Sequence, residues 1–141
     1  MRNSDHNKSL VRRWVTELWN KGNLAVASEI FASTYLHRTP VATFSDLAAF
    51  LQMISDFRVG VPDVQVTIQD LVAEDDKLVF RWQLTGAHRG VLFGIAATNK
   101  PITHSGITIQ RVENGKIVEA WAEFNASGLR QYLLDEVPTT P

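Results

Sequence analysis

Four histidines are the side chains of this sequence best suited to acid–base chemistry near neutral pH, where an imidazole exchanges its proton most readily. They are His6, His37, His88 and His104. His6 falls in the first turn of a predicted helix, where we expect it at the surface. The other three lie in or beside predicted strands and are the candidates for a site.

His88 continues the alternation of a predicted strand whose apolar residues recur at every second position. These residues are Leu78, Phe80, Trp82 and Leu84. If the strand runs on without a bulge, the His88 ring points to the same side as they do. Two interpretations are open: a strand-end histidine that binds a backbone carbonyl, or an acid–base group in a pocket.

His37 ends a short extended segment and is followed by Arg38 and, two residues later, Pro40. Taken alone, this pattern is typical of a loop histidine. His104 lies in a predicted hairpin, Lys100–Asn125, whose strands are joined by Asn114-Gly115. That pair is preferred in a type I′ turn, because both central residues must adopt positive φ.

Counting outward from this turn pairs Glu113 with Lys116 and His104 with Asn125. The pairing predicts two faces. One carries His104, Gly106, Thr108, Gln110, Glu119, Trp121, Glu123 and Asn125; the other carries Ser105, Ile107, Ile109, Val118, Ala120, Ala122 and Phe124. The second face suits a core or a cavity wall, and the sequence leaves both possibilities open.

The periodicity of apolar residues changes once along the chain. Helical spacing predicts helices over about residues 5–20, 24–31 and 46–57, the third capped by Ser45. After Pro62 the period becomes two, and a short helix closes the chain at Leu129–Leu134. We therefore predict one α+β domain over residues 1–141, with a core from about 10 to 134 and N-terminal helices on a curved antiparallel sheet.

Composition excludes several function classes. The net charge of -1 leaves no clustered basic surface for nucleic acid, and the absence of cysteine rules out disulfides and thiolate metal sites. No apolar run reaches about 20 residues, so we expect no membrane span and a cytoplasmic location. A metal site could be drawn from His37, His88 and one acid, but no local ligand spacing supports it. No metal or cofactor is predicted.

Several segments together resemble the SnoaL-like polyketide cyclase family. They are TGAHRGVLFGIAATNKPITHSG, IQRVENGKIVEAWAEFNASGLRQYL and, in the first half, YLHRTP. The resemblance extends from about Val11 to Leu134, and GKIVEAW is its most specific part. It implies the cone-shaped nuclear-transport-factor-2-like, or cystatin-like, fold.

The resemblance also implies a conical pocket for a small, largely apolar molecule, and a homodimer formed through sheet surfaces. Characterised members close a polyketide ring by intramolecular aldol condensation, using an aspartate beside a histidine and no metal or cofactor. His37, His88 and Trp121 fall on family positions. Ala122 and Asn125 stand where the family often has aspartates.

The leading hypothesis is a cofactor-free cyclase or isomerase acting on a carbonyl compound. It makes His88 the acid–base group with His37 as its partner, and lets Asn125 or His104 orient the substrate. The remaining predicted lining residues are Trp121, Trp82, Phe80, Phe124, Tyr35 and Trp14. One rival is a ligand-binding or stress-related domain without catalysis. Another is an epoxide hydrolase, which would use Asp70 with Arg81 or Arg111.

Overall fold

The computed structural model describes residues 3–135, so both ends of the predicted domain lie outside the described residues. The helical segments are α1 (Asn3–Trp14), its π-helical continuation Val15–Asn20, a 3-10 turn Leu24–Val26, α2 (Ala27–Ile30), α3 (Leu47–Gly60) and α4 (Ala126–Leu134). The strands are β1 (Phe31–Arg38), β2 (Thr43–Phe44), β3 (Gln65–Glu74), β4 (Lys77–Ala87), β5 (Pro101–Glu113) and β6 (Lys116–Phe124). No helix in this part of the chain is long and apolar enough to cross a bilayer.

The six strands form one curved sheet in the order β2-β1-β6-β5-β4-β3. The N-terminal helices pack on one face, with α1 against β3 and α3 against β1. The α+β prediction is therefore confirmed. We predicted an antiparallel sheet, but one pair of strands differs, because β1 runs parallel to β6. A parallel pair needs a long crossover, and the chain between β1 and β6 supplies it.

Helix α3 shows how local sequence sets an element. Asp46, rather than the predicted Ser45, is the N-cap, and its carboxylate accepts a hydrogen bond of 2.8 Å from the Ala49 N–H. The helix then buries one stripe of residues against the sheet: Leu47, Phe50, Ile54, Phe57 and Gly60.

The predicted turn of the β5–β6 hairpin is confirmed. Asn114 and Gly115 have φ values of 52° and 77°. Glu113 pairs with Lys116 and Val112 with Ile117, as the type I′ turn requires.

Beyond these pairs the predicted register is wrong, because β6 contains a bulge at Val118. Arg111 pairs with Glu119, and Thr108 with Ala122 rather than with Trp121. The β5–β6 ladder ends at the pair Gly106–Phe124, so His104 does not pair with Asn125. A single extra residue moves every later side chain of β6 to the opposite face.

The bulge resolves a conflict in the β6 sequence. Ile117 is fully buried on the helix-facing side, which we call the inner face. Strict alternation from Ile117 would turn Glu119 and Glu123 toward the same interior, where unpaired carboxylates are costly. With the bulge, Ala120 and Ala122 face inward, and Glu119 lies on the outer face beside Arg38 and Arg111.

Candidate functional site

The inner face carries one buried group of polar side chains, Tyr35, His37 and Gln110, which we call the inner polar cluster. Tyr35 and His37 lie two residues apart on β1 and so point to the same side. His37 pairs with Ala120, and Ala120 pairs with Gln110. Only the methyl group of Ala120 therefore separates the His37 and Gln110 side chains along this row of the sheet. The Tyr35 hydroxyl is hydrogen-bonded to His37 Nδ1 at 2.7 Å.

Burial fixes the charge state of this cluster. Desolvation lowers the pKa of His37 from 6.5 to about 4, so its ring is neutral at pH 7. Desolvation also raises the pKa of the Tyr35 hydroxyl far above its ordinary value, and the neighbouring Gln110 side chain offsets this only partly. The cluster therefore offers neutral donors and acceptors. The Nδ1 of His37 is engaged by Tyr35, and Nε2 is the nitrogen left for a ligand.

The sequence did not lead us to predict Gln110 as a site residue, because the polar face of the hairpin was not assigned to the interior. It is fully buried, and neither atom of its carboxamide has a hydrogen-bond partner within residues 3–135. The alternation of buried and exposed residues along β5 could have identified it. Gln110 shares its alternation with Val112 and Ile102, both of which are buried.

Trp14 lies at the centre of the interior, where aromatic rings surround it. The ring centroids of Phe31, Phe50 and Phe80 are 5.6, 6.0 and 6.1 Å away, all in edge-on arrangements. The Trp14 Nε1–H is buried without a hydrogen-bond partner in the described residues. The expected hollow is thus occupied by side chains, and the predicted residues Trp14, Phe80 and Tyr35 form its filling.

A second group on the inner face consists of Trp82, His104 and Phe124, which we call the aromatic trio. Their ring centroids lie 5.4 to 6.1 Å apart. Trp82 donates from Nε1 to Thr108 Oγ1 at 2.9 Å. A Cβ on Gly106 would come within 2.4 Å of the indole, so only glycine lets Trp82 lie across β5.

The trio lies well away from the inner polar cluster. His104 and Gln110 are six residues apart on β5, which corresponds to about 20 Å along a strand. Partial burial lowers the pKa of His104, so this ring too is held toward its neutral form. The two histidines on the inner face therefore cannot act on the same atom of a small substrate.

His88 is fully buried, and its ring is hydrogen-bonded to the loop between β4 and β5. Its Nε2 donates to the Ile95 carbonyl at 3.2 Å, and its Nδ1 faces the Thr98 hydroxyl at 2.9 Å. The Thr98 backbone N–H also donates to Nδ1. Both ring nitrogens are thus engaged by one loop, which matches the carbonyl-binding alternative and leaves neither nitrogen for a substrate.

Two predicted binding residues lie outside the interior. Asn125 is exposed and caps α4, with its Oδ1 accepting from the Gly128 N–H at 2.9 Å. Trp121 lies on the outer face, where the Arg38 guanidinium sits 4.6 Å from its ring centroid. Trp121 lies on the outer face because the bulge at Val118 shifts the later residues of β6 by one position.

The acidic residue of the epoxide hydrolase hypothesis is also on the outside. β3 has its own register shift between Ile68 and Asp70, and the exposed Asp70 carboxylate forms an ion pair with Arg81 at 2.6 Å. No carboxylate is buried in the part of the chain that the structure describes. Nor do these residues hold a group of three or more His, Asp or Glu side chains suited to a metal ion.

Ala122 occupies an inner-face position beside Thr108 and is buried. It stands where the family resemblance often places an aspartate, so the bulge directs that position into the interior. An acid–base mechanism in this chain must therefore use a group other than a carboxylate at this point.

A surface groove lies at the end of the sheet that carries the β5–β6 turn, and it touches none of the predicted site residues. Its volume is about 540 Å³, and it is lined by Ser4, His6, Asn7, Asp75, Asp76, Val112, Asn114 and Gly115. The inner polar cluster is buried, whereas this groove lies on the surface.

Comparison with known proteins identifies relatives by sequence pattern and by fold. The family model described as SnoaL-like polyketide cyclase matches residues 9–133. No curated protein has a significantly similar sequence.

Solved structures share the fold over nearly the whole chain. A protein from Jannaschia sp. CCS1, provisionally assigned as a SnoaL-like polyketide cyclase, superposes with a TM-score of 0.89 at 16% identity, covering 97% of both chains. TsrD from Streptomyces laurentii gives 0.84 at 24% identity, covering 95% of this chain and 98% of its own. AclR from Streptomyces galilaeus, provisionally assigned as a hydroxylase, gives 0.82 at 23% identity, covering 93% of this chain and 97% of its own.

Proposed function

Because the chain belongs to the SnoaL-like polyketide cyclase family, we propose that it is a cofactor-free enzyme acting on a small, neutral carbonyl compound. The reaction is of the cyclase or isomerase type, in which a proton leaves a carbon beside a carbonyl group. We place this chemistry in the cytoplasm. The protein has the nuclear-transport-factor-2-like fold of its structural relatives, and the fold leaves the activity open.

The observation that carries the proposal is the buried Tyr35–His37 pair. Its 2.7 Å hydrogen bond holds the imidazole by Nδ1 and leaves Nε2 for the substrate. Burial keeps the ring neutral at pH 7, so Nε2 is not blocked by protonation. His37 thus takes the acid–base role that the sequence suggested for His88, and Tyr35 orients it.

The proposed step conserves protons within the site. In the tautomer with hydrogen on Nδ1, the Nε2 lone pair accepts a proton from the terminal carbon beside a substrate carbonyl. The resulting enolate attacks the most distant carbonyl and closes a six-membered ring, and His37 returns the proton to the new alkoxide. Loss of this hydroxyl as water, with a ring proton, then gives the aromatic product.

Entry of a ligand requires the rings around Trp14 to move apart, since they fill the interior. Trp14, Phe80 and Phe50 then become the walls of the site. Aromatic walls suit a largely apolar guest, and the inner polar cluster orients its oxygen atoms.

The direct experiment is a cyclisation assay with linear 2,4,6-triketones, followed by absorbance of the aromatic product. We expect the wild-type protein to accelerate ring closure without added metal, and His37→Gln to slow it about 10². Tyr35→Phe is expected to cause a smaller loss, since it removes orientation and not the imidazole. Equal rates for wild type and His37→Gln would contradict the proposal.

Binding without turnover is the rival that a specific observation favours. Residues 3–135 bury no carboxylate, and the inner-face position of Ala122 is apolar. Saturable binding of the same triketones, with no product above the uncatalysed background, would support this alternative.

We further propose that the protein forms a homodimer through the outer face of the sheet. Ile107 and Ile109 are exposed there on the central strand β5, at 49% and 37%, between the ion pairs of Arg111 and Arg81. A two-fold axis would place these apolar side chains against their own copies.

Sedimentation velocity should show a dimer for the wild type and a monomer for Ile107→Lys. Val59→Lys is a suitable control, because Val59 is also exposed, at 63%, but lies on α3 and not on the outer face of the sheet. A monomeric wild type at micromolar concentration would contradict the proposed interface.

A further inference from the structure

The environment of Gln110 is unusual for a buried amide. It lies in a row of the inner face between Leu78 of β4 and Ala120 of β6, both fully buried. A carboxamide has two N–H donors and one acceptor oxygen. None of these makes a hydrogen bond of normal length and angle within the described residues, although the carboxamide lies close enough to the Tyr35 hydroxyl to lower its pKa. Tyr35 and His37 are instead hydrogen-bonded to each other.

An unpaired buried amide is a stability cost that an apolar residue of the same shape would avoid. Leaving a buried donor or acceptor without a partner costs more than a formed hydrogen bond contributes. Its two neighbours in this row, Leu78 and Ala120, are apolar and offer it no hydrogen bond from their side chains. The carboxamide is therefore better explained by a partner from outside the chain than by packing.

The Trp14 Nε1–H is a second unpaired donor in the same interior. Trp14 packs against Phe31, and Phe31 against Tyr35, with ring centroids 5.6 and 4.6 Å apart. The Tyr35 hydroxyl in turn lies beside Gln110. The two unpaired groups thus border one aromatic cluster, which provides apolar walls with donors at more than one point.

The interior also lacks a charge that could balance an ionic ligand. Besides Tyr35, the polar side chains buried among residues 4–135 are Asn7, His37, His88, Thr108 and Gln110, and none is a carboxylate, lysine or arginine. Burying an unpaired ion in such a site is costly. The interior therefore favours an uncharged ligand whose oxygen atoms accept or donate hydrogen bonds.

We propose that Gln110 is a specificity-determining residue, whose carboxamide selects ligands carrying a neutral carbonyl or hydroxyl oxygen over hydrocarbons of the same shape. This inference rests on the proposed function, because it concerns the same interior site. Gln110 contacts the oxygen through its Nε2–H₂ or its Oε1. The discrimination comes from the ligand oxygen, which would otherwise be buried without a partner.

A matched pair of probes tests this selection. 1-Tetralone and tetralin have nearly the same shape and differ chiefly by one carbonyl oxygen, and their dissociation constants can be measured by tryptophan fluorescence. We expect Gln110→Met to reduce the preference for 1-tetralone over tetralin about tenfold, with tetralin binding retained. The same substitution at Gln83, on the outer face of β4, should leave the preference unchanged.

Thermal unfolding of the variant separates a binding role from a structural one. Gln110→Met removes two unpaired polar atoms at nearly constant volume, so Tm should stay constant or rise by about 2–5 °C. A large fall in Tm, or a variant that does not fold, would show that the fold itself satisfies Gln110, and would overturn the inference.

The infrared carbonyl stretch of 1-tetralone provides a second test. Its frequency is compared first between 1-tetralone bound to the wild-type protein and 1-tetralone in an alkane solvent. A shift to lower frequency than in an alkane solvent, and its reduction in Gln110→Met, would support the contact. A preference that persists in Gln110→Met would overturn the role of Gln110 while leaving the interior site intact. If neither probe binds the wild type, this inference falls whether or not the triketone assay shows turnover.

Discussion

Between pH 7 and pH 4, the wild-type protein is expected to lose about 3 kcal/mol more free energy of unfolding than the His37→Gln variant. Burial lowers the pKa of His37 from 6.5 to about 4 in the folded state. Below pH 6.5 the unfolded chain therefore binds a proton that the folded chain does not accept. The stabilisation from the neutral ring is fully present above pH 6.5 and is lost as the pH falls toward 4.

Urea titrations at several pH values would measure this difference. Partial burial lowers the pKa of His104 as well, so both proteins should lose some stability in acid, and only the difference between them reports on His37. His6→Gln is a control, because His6 is exposed on α1. Curves for wild type and His37→Gln that run parallel from pH 7 to 4 would show that His37 is accessible to protons in the folded state.

Replacing His88 with alanine is expected to destabilise the protein by about 3–5 kcal/mol. The ring is fully buried, and its removal leaves a cavity as well as unpaired groups at Ile95 and Thr98. The backbone of His88 also pairs with Lys100 and Asn99, so the loop is held at its base but loses its internal support. Thermal unfolding and hydrogen exchange of the Thr98 amide would measure both effects.

The same variant distinguishes a loop anchor from an acid–base residue. If His88 holds the loop, the folded fraction of His88→Ala should keep the pH dependence of any triketone cyclisation seen in the wild type. His6→Ala provides a matched histidine-to-alanine change at an exposed position and should leave stability unchanged. A stable His88→Ala protein with an altered pH profile would return His88 to the mechanism.

Local signals in the sequence were sufficient for the elements themselves. Helical spacing of apolar residues identified α1 and α3, because burying a stripe on a helix needs that spacing wherever the helix packs. Asn114-Gly115 identified the hairpin, because positive φ is a property of the turn residues alone. The family resemblance rested on short segments in β1, in the β4–β5 loop and in the hairpin with α4, and it is confirmed by the family model.

The faces of the hairpin could not be read in the same way. Whether β6 is bulged at Val118 depends on what each face meets across the whole sheet, and alternation counted from the turn contains no such information. The one-residue shift exchanged Trp121 for Ala122 on the inner face. It also moved His104 out of register with Asn125, so the predicted pair of site residues does not form.

The chain by itself determined its helices, its turns, its family and the identity of His37 and Tyr35 as candidates, since these depend on residues close together in sequence. Only the tertiary structure decided that His37 pairs with Tyr35, that His88 is engaged by its loop, and that Gln110 is buried without a partner. These facts depend on which strands become neighbours and on how the bulge at Val118 sets their register. Burial and hydrogen bonding between distant residues determine the chemistry of the interior, and neither is a local property of the sequence.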